Sequence, residues 1–407
     1  MTHRITHHAR LTALLLFFTF SPFHLFTSSA YAQKRQMAEA ENYLRSGSNF
    51  DKAEQLMTKL LQDSINQLNP RIHNLLLQAV EKQYQELNER MYKHQDIDTL
   101  KLFTLNRRIF TIAERLDSVD ALPDKKGRVD PDYRKDNSLR LLGYRPNLFF
   151  GGAYHLRKGD FLTAYDFFET YIDCDRQPLF TEQRLMEHDM RMGEAAYWAT
   201  YCGYRLNDPV LTLRHSELAR RDTSKLDYTL QFVAEAWNRL GDKQRYAEIL
   251  WEGFAFFPNS AYFFPRLMDA YTAKGNYEQA LSVVDEALKT DSLSELYLFA
   301  KSTMLLNLGR YAECLDISNR LIALNDQMAD AYYNAGTACL NIILKMDSRR
   351  HKKQIRKMYQ KAQPYMETYR QLAPEAKDKW GPALYRIYFN LNLGKQFDEI
   401  DRLLKGL

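Results

Sequence analysis

The sequence has little that breaks a helix and little that patterns a strand. It holds 12 prolines and 16 glycines in 407 residues, and its β-branched residues do not cluster in alternating runs. Sandwich and barrel folds are thereby disfavoured. Leu, Ala, Glu, Lys, Gln and Arg dominate, which favours helices almost throughout. Cysteine is scarce as well. Cys174, Cys202, Cys314 and Cys339 form no CxxC pair and no metal-ligand spacing. The expectation is four small apolar side chains packed in helices. The alternative is a disulfide, whose pairing the sequence cannot give. An excess of one charge is also missing: 56 basic residues face 51 acidic ones. That balance argues against nucleic acid or wholesale membrane binding.

Long apolar runs are absent except at the N-terminus. Leu11 to Phe20 is apolar, Arg4 and Arg10 precede it, and Ser21-Pro22 ends it. The run is shorter than the roughly 20 residues that span a bilayer core. Ala30-Tyr31-Ala32 then offers the small-x-small pattern of a signal peptidase site, so residues 1–32 are expected to be removed and Gln33 to start the mature chain. No Cys follows the apolar run, so a lipoprotein is not expected. The chain reads as exported: periplasmic in a Gram-negative bacterium, otherwise secreted.

Catalytic signatures are missing too. There is no GxSxG, no HExxH and no GxxxxGK[ST]. His73, His94, His155, His188, His215 and His351 are scattered, none at helical metal-pair spacing. Asp173 and Asp175 begin a calcium-loop pattern, but Pro178 stands where Gly is needed and Arg184 where the closing Glu is needed. Neither an enzyme nor a metal or cofactor is expected.

What is present is a period. Asn207, Gly241, Gly275 and Gly309 follow one another at steps of 34 residues. In the unit 261–294, Phe264, Leu267 and Tyr271 share one face of a first helix. Gly275 turns the chain, and Tyr277, Ala280, Val284 and Ala287 line a second helix. This pattern resembles the tetratricopeptide repeat. The unit departs from it at Met268, where a small residue is expected. Further units lie at 227–260, with Ala234, Trp237, Gly241 and Pro258, and at 145–178, with Leu148, Gly152, Gly159, Phe161, Ala164 and Phe168. The unit at 295–328 keeps Gly309 and Tyr311 but has Lys301 in place of Leu. Steps of one period plus 14 residues, after Gly159 and after Gly309, indicate two lengthened or inserted segments.

The resemblance implies an all-α fold, antiparallel helix hairpins stacked into a right-handed solenoid. The expected organisation is a signal at 1–32, degenerate hairpins at 33–116, a polar loop or linker at 117–144, and the array at 145–379. Insertions fall at about 177–192 and 343–357, and a capping hairpin closes the chain at 380–407. Within 33–116, Ile72, Leu76, Val80, Tyr84, Leu87 and Met91 form one helical stripe, and Asp98 is positioned to cap a helix over 98–116.

In this family the first helices build a concave wall that takes a partner. Carried onto this sequence, the wall holds Phe149, Tyr197, Tyr201, Tyr204, Arg205, Tyr228, Glu235, Tyr262, Asp269, Phe299 and Tyr333. Tyr and Arg are common recognition anchors, and packing between repeats is the competing use for the same rings. A basic patch, Arg349, Arg350, Lys352, Lys353 and Arg356, either grips an anionic surface or is a solvated helix face. The implied function is a protein-interaction scaffold of the cell envelope holding a peptide or protein partner. The alternative is a carbohydrate-binding helical repeat.

Overall fold

The structure is a computed structural model that describes residues 23–405. The apolar run Leu11 to Phe20 lies outside the described residues. Every regular element described is a helix. The chain divides into two compact units, Met1–Phe232 and Val233–Leu407.

The first unit pairs helix Phe23–Ser46 with Phe50–Leu60, Pro70–Tyr92 with Thr99–Asp120, and Pro146–Arg157 with Phe161–Asp173. Helix Met192–Arg205 then pairs with a second helix broken into Pro209–Arg214 and Ser216–Ala219. Helix Leu226–Arg239 crosses the boundary. The second unit continues with Lys243–Phe256 and four hairpins: Phe263–Thr272 with Tyr277–Thr290, Glu295–Asn307 with Tyr311–Leu324, Ala329–Leu344 with Lys352–Leu372, and Lys377–Leu391 with Gly394–Lys405. First helices of neighbouring hairpins touch here, Glu295–Asn307 on Ala329–Leu344 and that helix on Lys377–Leu391.

One local device makes most of these turns. Gly241, Gly275 and Gly309 sit at φ 77, 70 and 71, and Asn207 at φ 58. At each, the next residue's N–H reaches back five residues: Asp242 to Trp237 at 3.1 Å, Asn276 to Tyr271 at 3.0 Å, Arg310 to Leu305 at 2.9 Å and Asp208 to Gly203 at 3.0 Å. This closure satisfies carbonyls that a helix end leaves open, and it needs the left-handed conformation that Gly adopts without strain. Asp242 and Asp208 then cap the helix that follows, accepting from Arg245 N at 3.0 Å and from Val210 and Leu211 N at 2.9 and 3.0 Å. Two residues thus end one helix and start the next.

The pattern residues are the core. Leu148, Ala164, Phe168, Phe264, Leu267, Ala280, Val284 and Ala287 are buried. Burying a Phe or Leu side chain is worth about 1.5–3 kcal/mol. Met268 is buried too, in its departing position. Lys301 keeps its place because its ammonium reaches Asp285 of the previous hairpin at 2.7 Å. All four cysteines are buried and unpaired. Burial pushes their thiols up, to about 12 at Cys174 and Cys202 and about 11 at Cys314 and Cys339.

Two irregular stretches interrupt the array, and the first differs from the sequence expectation. The polar segment 117–144 is not one loop. Helix Thr99–Asp120 runs into it, and Arg134–Leu142 is a helix of its own. A clamp explains this: Arg134 donates twice to Asp117, at 2.7 and 2.9 Å, and Tyr133 N–H donates to Asp120 at 2.9 Å. Within the segment, 121–133 and the turn at 143–144 remain outside the helices. Residues 177–192 carry short helical turns, Pro178–Gln183 and Leu185–His188. They are tied down by Asp189, whose carboxylate takes the Arg145 guanidinium and the Tyr171 hydroxyl, the latter at 2.6 Å. Arg145 also lies 3.7 Å over the Tyr171 ring and donates to that residue's carbonyl at 2.9 Å. Burial alone would raise the Asp189 carboxyl; the hydrogen bonds from Tyr171 and Arg145 outweigh it and hold the group low.

In the hairpin of Lys377–Leu391 with Gly394–Lys405, Tyr385 and Phe389 are exposed beside Phe397, with ring centres 4.7 and 5.8 Å from the Phe397 ring.

Candidate partner-binding surface

Helix Met192–Arg205 has two faces. Ala195, Ala196, Ala199 and Cys202 are fully buried, and their small size lets the second helix approach. Tyr201 and Tyr204 are half-buried on the other side and Arg205 is exposed. The half-buried rings form a connected set. Tyr201 lies 6.1 Å from Phe161, 5.9 Å from Trp198 and 5.6 Å from Phe232, and Tyr204 stacks on Phe232 at 4.6 Å. The Arg205 guanidinium covers the Phe161 ring at 4.3 Å and donates to the Tyr201 hydroxyl. A fixed cation beside semi-exposed aromatics offers apolar area, a hydrogen-bond donor and positive charge together.

The other wall residues of this unit are distributed differently. Phe149 is 8% exposed and packs on Phe168 at 5.5 Å and Tyr171 at 5.9 Å. Tyr197 is 7% exposed, against Trp198 at 4.9 Å. Both are core residues, not open wall: neighbouring aromatics close over them. Tyr228 is 55% exposed.

In the second unit, Glu235, Tyr262 and Arg266 form a local knot. The Tyr262 hydroxyl donates to Glu235 at 2.7 Å, and the Arg266 guanidinium lies 3.9 Å over the Tyr262 ring. Burial, then the bond to Glu235, push the Tyr262 phenol up. Asp269 is exposed, and Phe299 is half-buried. Tyr333 packs on Tyr369 at 5.1 Å, with Lys379 over its ring at 5.4 Å. Arg349, Arg350, Lys352, Lys353 and Arg356 are all exposed.

Sequence reasoning passed over one concavity. A groove of about 610 Å³ in the first unit is lined by Arg107, Arg108, His155, Asp160 and Phe167, among others. His155 bonds Asp160 through Nδ1 at 3.0 Å, while its buried Nε2 has no protein partner. Both arginines are already paired, with Asp166 at 3.1 Å and Glu54 at 2.5 Å. A single histidine five residues before an acid gives no signal in sequence. Among the described residues, no group of three His, Cys, Asp or Glu side chains is placed to hold a metal, and no helix is long and apolar enough to cross a membrane.

No family model matches the sequence, and no curated protein matches it. Solved structures do. The C-terminal part of a TPR repeat-containing protein from Cytophaga hutchinsonii is 11% identical, covering 62% of this chain and 92% of its own, with TM-score 0.41. Yeast Tom70 is 9% identical, covering 93% and 91%, with TM-score 0.34. The TPR2AB domain of yeast Sti1, solved as a complex with pHSP90, is 13% identical, covering 72% and 98%, with TM-score 0.26. By the geometry of its own hairpins, closed by left-handed turns at steps of 34 residues, the chain is a tetratricopeptide-like all-α repeat protein.

Proposed function

We propose that this protein is a non-enzymatic scaffold of the cell envelope that holds a peptide or protein partner on the face carrying Tyr201, Tyr204 and Arg205. One observation carries this reading. The helix closes its own hairpin with small residues, so the outer faces of Tyr201 and Tyr204 and the exposed Arg205 remain accessible to a partner beyond what that closure uses. Tyr and Arg in such a setting are the residue types that dominate binding energies. The protein partner of the Sti1 structure is consistent with this use of the fold. Export and cleavage before Gln33 rest on the N-terminal pattern; finding the chain retained in the cytoplasm overturns export, and finding residues 1–32 on the exported protein overturns the cleavage.

Crosslinking from position 201 in the native cell, read by mass spectrometry, identifies the partner. Tyr201→Ala with Arg205→Ala is then expected to weaken its binding at least tenfold, about 1.4 kcal/mol or more, and to leave the melting temperature nearly unchanged. A large fall in melting temperature makes these residues core and sinks the reading. Carbohydrate binding is the competing outcome. It needs an open ring face, whereas Phe232 already stacks on Tyr204 and Arg205 covers Phe161. A positive glycan array with no crosslinked protein would favour it.

A further inference from the structure

Residues 344–361 hold eight basic side chains and one acid, Asp347. Elsewhere 48 basic residues face 50 acidic ones, so this one segment carries more positive charge than the whole chain, whose net is +5. The structure sets the segment at one end of a hairpin, where helix Ala329–Leu344 stops and helix Lys352–Leu372 begins. Lys352, Lys353, Arg356, Lys357 and Lys361 are exposed, while Tyr359 and Ala362 are buried and Ile355 and Met358 half-buried. The cations thus share one face, running about 14 Å along the helix at 1.5 Å per residue.

Little on the protein answers this charge. Asp347 is occupied by the backbone N–H groups of Arg349 and Arg350, at 2.8 and 3.2 Å, with the Arg350 side chain at 3.7 Å. Lys345 is engaged by the Gly309 carbonyl at 3.0 Å and the Tyr311 ring at 4.5 Å. Among the described residues no acid lies in ion-pair range of the helical cations. Lys352 and Arg356, Lys353 and Lys357, and Lys357 and Lys361 are like charges one turn apart, which repel. The first turn has no acid and no side-chain cap, so the cations also oppose the positive end of the helix dipole. The isolated chain bears this cost without a compensating contact.

We infer that this face docks on a membrane surface of anionic phospholipid. A row of phosphates relieves the repulsion and the dipole conflict together. Four of the five helical cations are lysines, point charges suited to scattered headgroups more than to the fixed geometry of one carboxylate. Leu344, 64% exposed at the same end of the hairpin, adds an apolar contact beside the charge.

The test is co-sedimentation of the full chain with vesicles of phosphatidylcholine containing about one quarter phosphatidylglycerol, against pure phosphatidylcholine. The comparison is a variant with Arg349, Arg350, Lys352, Lys353 and Arg356 changed to Gln. Wild type is expected to bind the anionic vesicles at least about tenfold better than the variant, and to lose that advantage near 0.5 M salt, where screening is strong. The variant is expected to melt no lower than wild type, because repulsion is removed. Equal binding of both proteins, equal binding to both vesicles, or capture of a polyglutamate peptide without vesicle binding overturns the inference. So does a lower melting temperature in the variant. Crosslinking from position 201 is untouched by this variant, so the two proposals fail separately.

Discussion

Glu114 shows how one side chain can set a pH response. It lies on helix Thr99–Asp120, and burial, then the charge of Asp173, push its carboxyl up to about 7. The folded chain therefore keeps a proton that the unfolded chain releases near its ordinary value of about 4.3. This contribution is complete below that value and is lost as pH rises through about 7. His215 acts in the opposite sense: burial drives it down to about 4, so its contribution grows as pH rises from there towards 6.5. Melting curves of wild type and Glu114→Gln separate the two. The variant should gain on wild type between about pH 5 and pH 7.5, and an unchanged gap would refute the shift at Glu114. Residue-level legibility was uneven. Burial of the cysteines followed from composition alone. The burial of Phe149 and Tyr197 did not, because Tyr171 and Phe168 close over the first and Trp198 packs on the second only once helices are in place. Lys301 looked like decay of the pattern for the same reason: its partner, Asp285, stands sixteen residues earlier on another helix.

Among elements, the hairpin turns were the most legible, since a left-handed residue followed by an Asp cap is spelled out locally as Gly-Asp or Asn-Asp. Helix Arg134–Leu142 was not, because its start depends on the ion pair to Asp117 rather than on its own apolar spacing. At Gly203 the following helix approaches with its backbone, so that an added Cβ would stand 2.4 Å from Thr212 N. Backbone cannot yield as a side-chain tip does. Gly203→Ala is therefore expected to cost about 1–3 kcal/mol in urea unfolding. Gly275→Ala meets no atom within 4 Å and bears only the left-handed penalty, about 1–2 kcal/mol. Equal, negligible losses at both sites would show that the helices do not approach as closely as described.

At the scale of the molecule, stacked hairpins support mainly their neighbours. Trp380, 3% exposed, anchors the last hairpin with Arg370 over its ring at 5.0 Å. Trp380→Ala removes about 3–5 kcal/mol. Amide exchange should then quicken in 377–391 and 394–405 while 263–290 stays protected; uniform loss through the unit would mean it opens as one body. The period of 34 made the array readable from its glycines, whereas the exposed rings of the last hairpin and the clamp at 117–134 depend on contacts that no period encodes.

A periodic stack stays in phase only if any extra length brings the chain back to where the next hairpin must begin. Asp189 does this by fastening the stretch after Asp173 to Arg145 and Tyr171, directly before Met192 opens the following helix. Slack is gathered ahead of Asp189, while the buried Leu179, Phe180 and Leu185 hold the stretch from inside, so residues added at the exposed positions 181–182 would lengthen a surface bulge and leave Met192 where the next helix must begin.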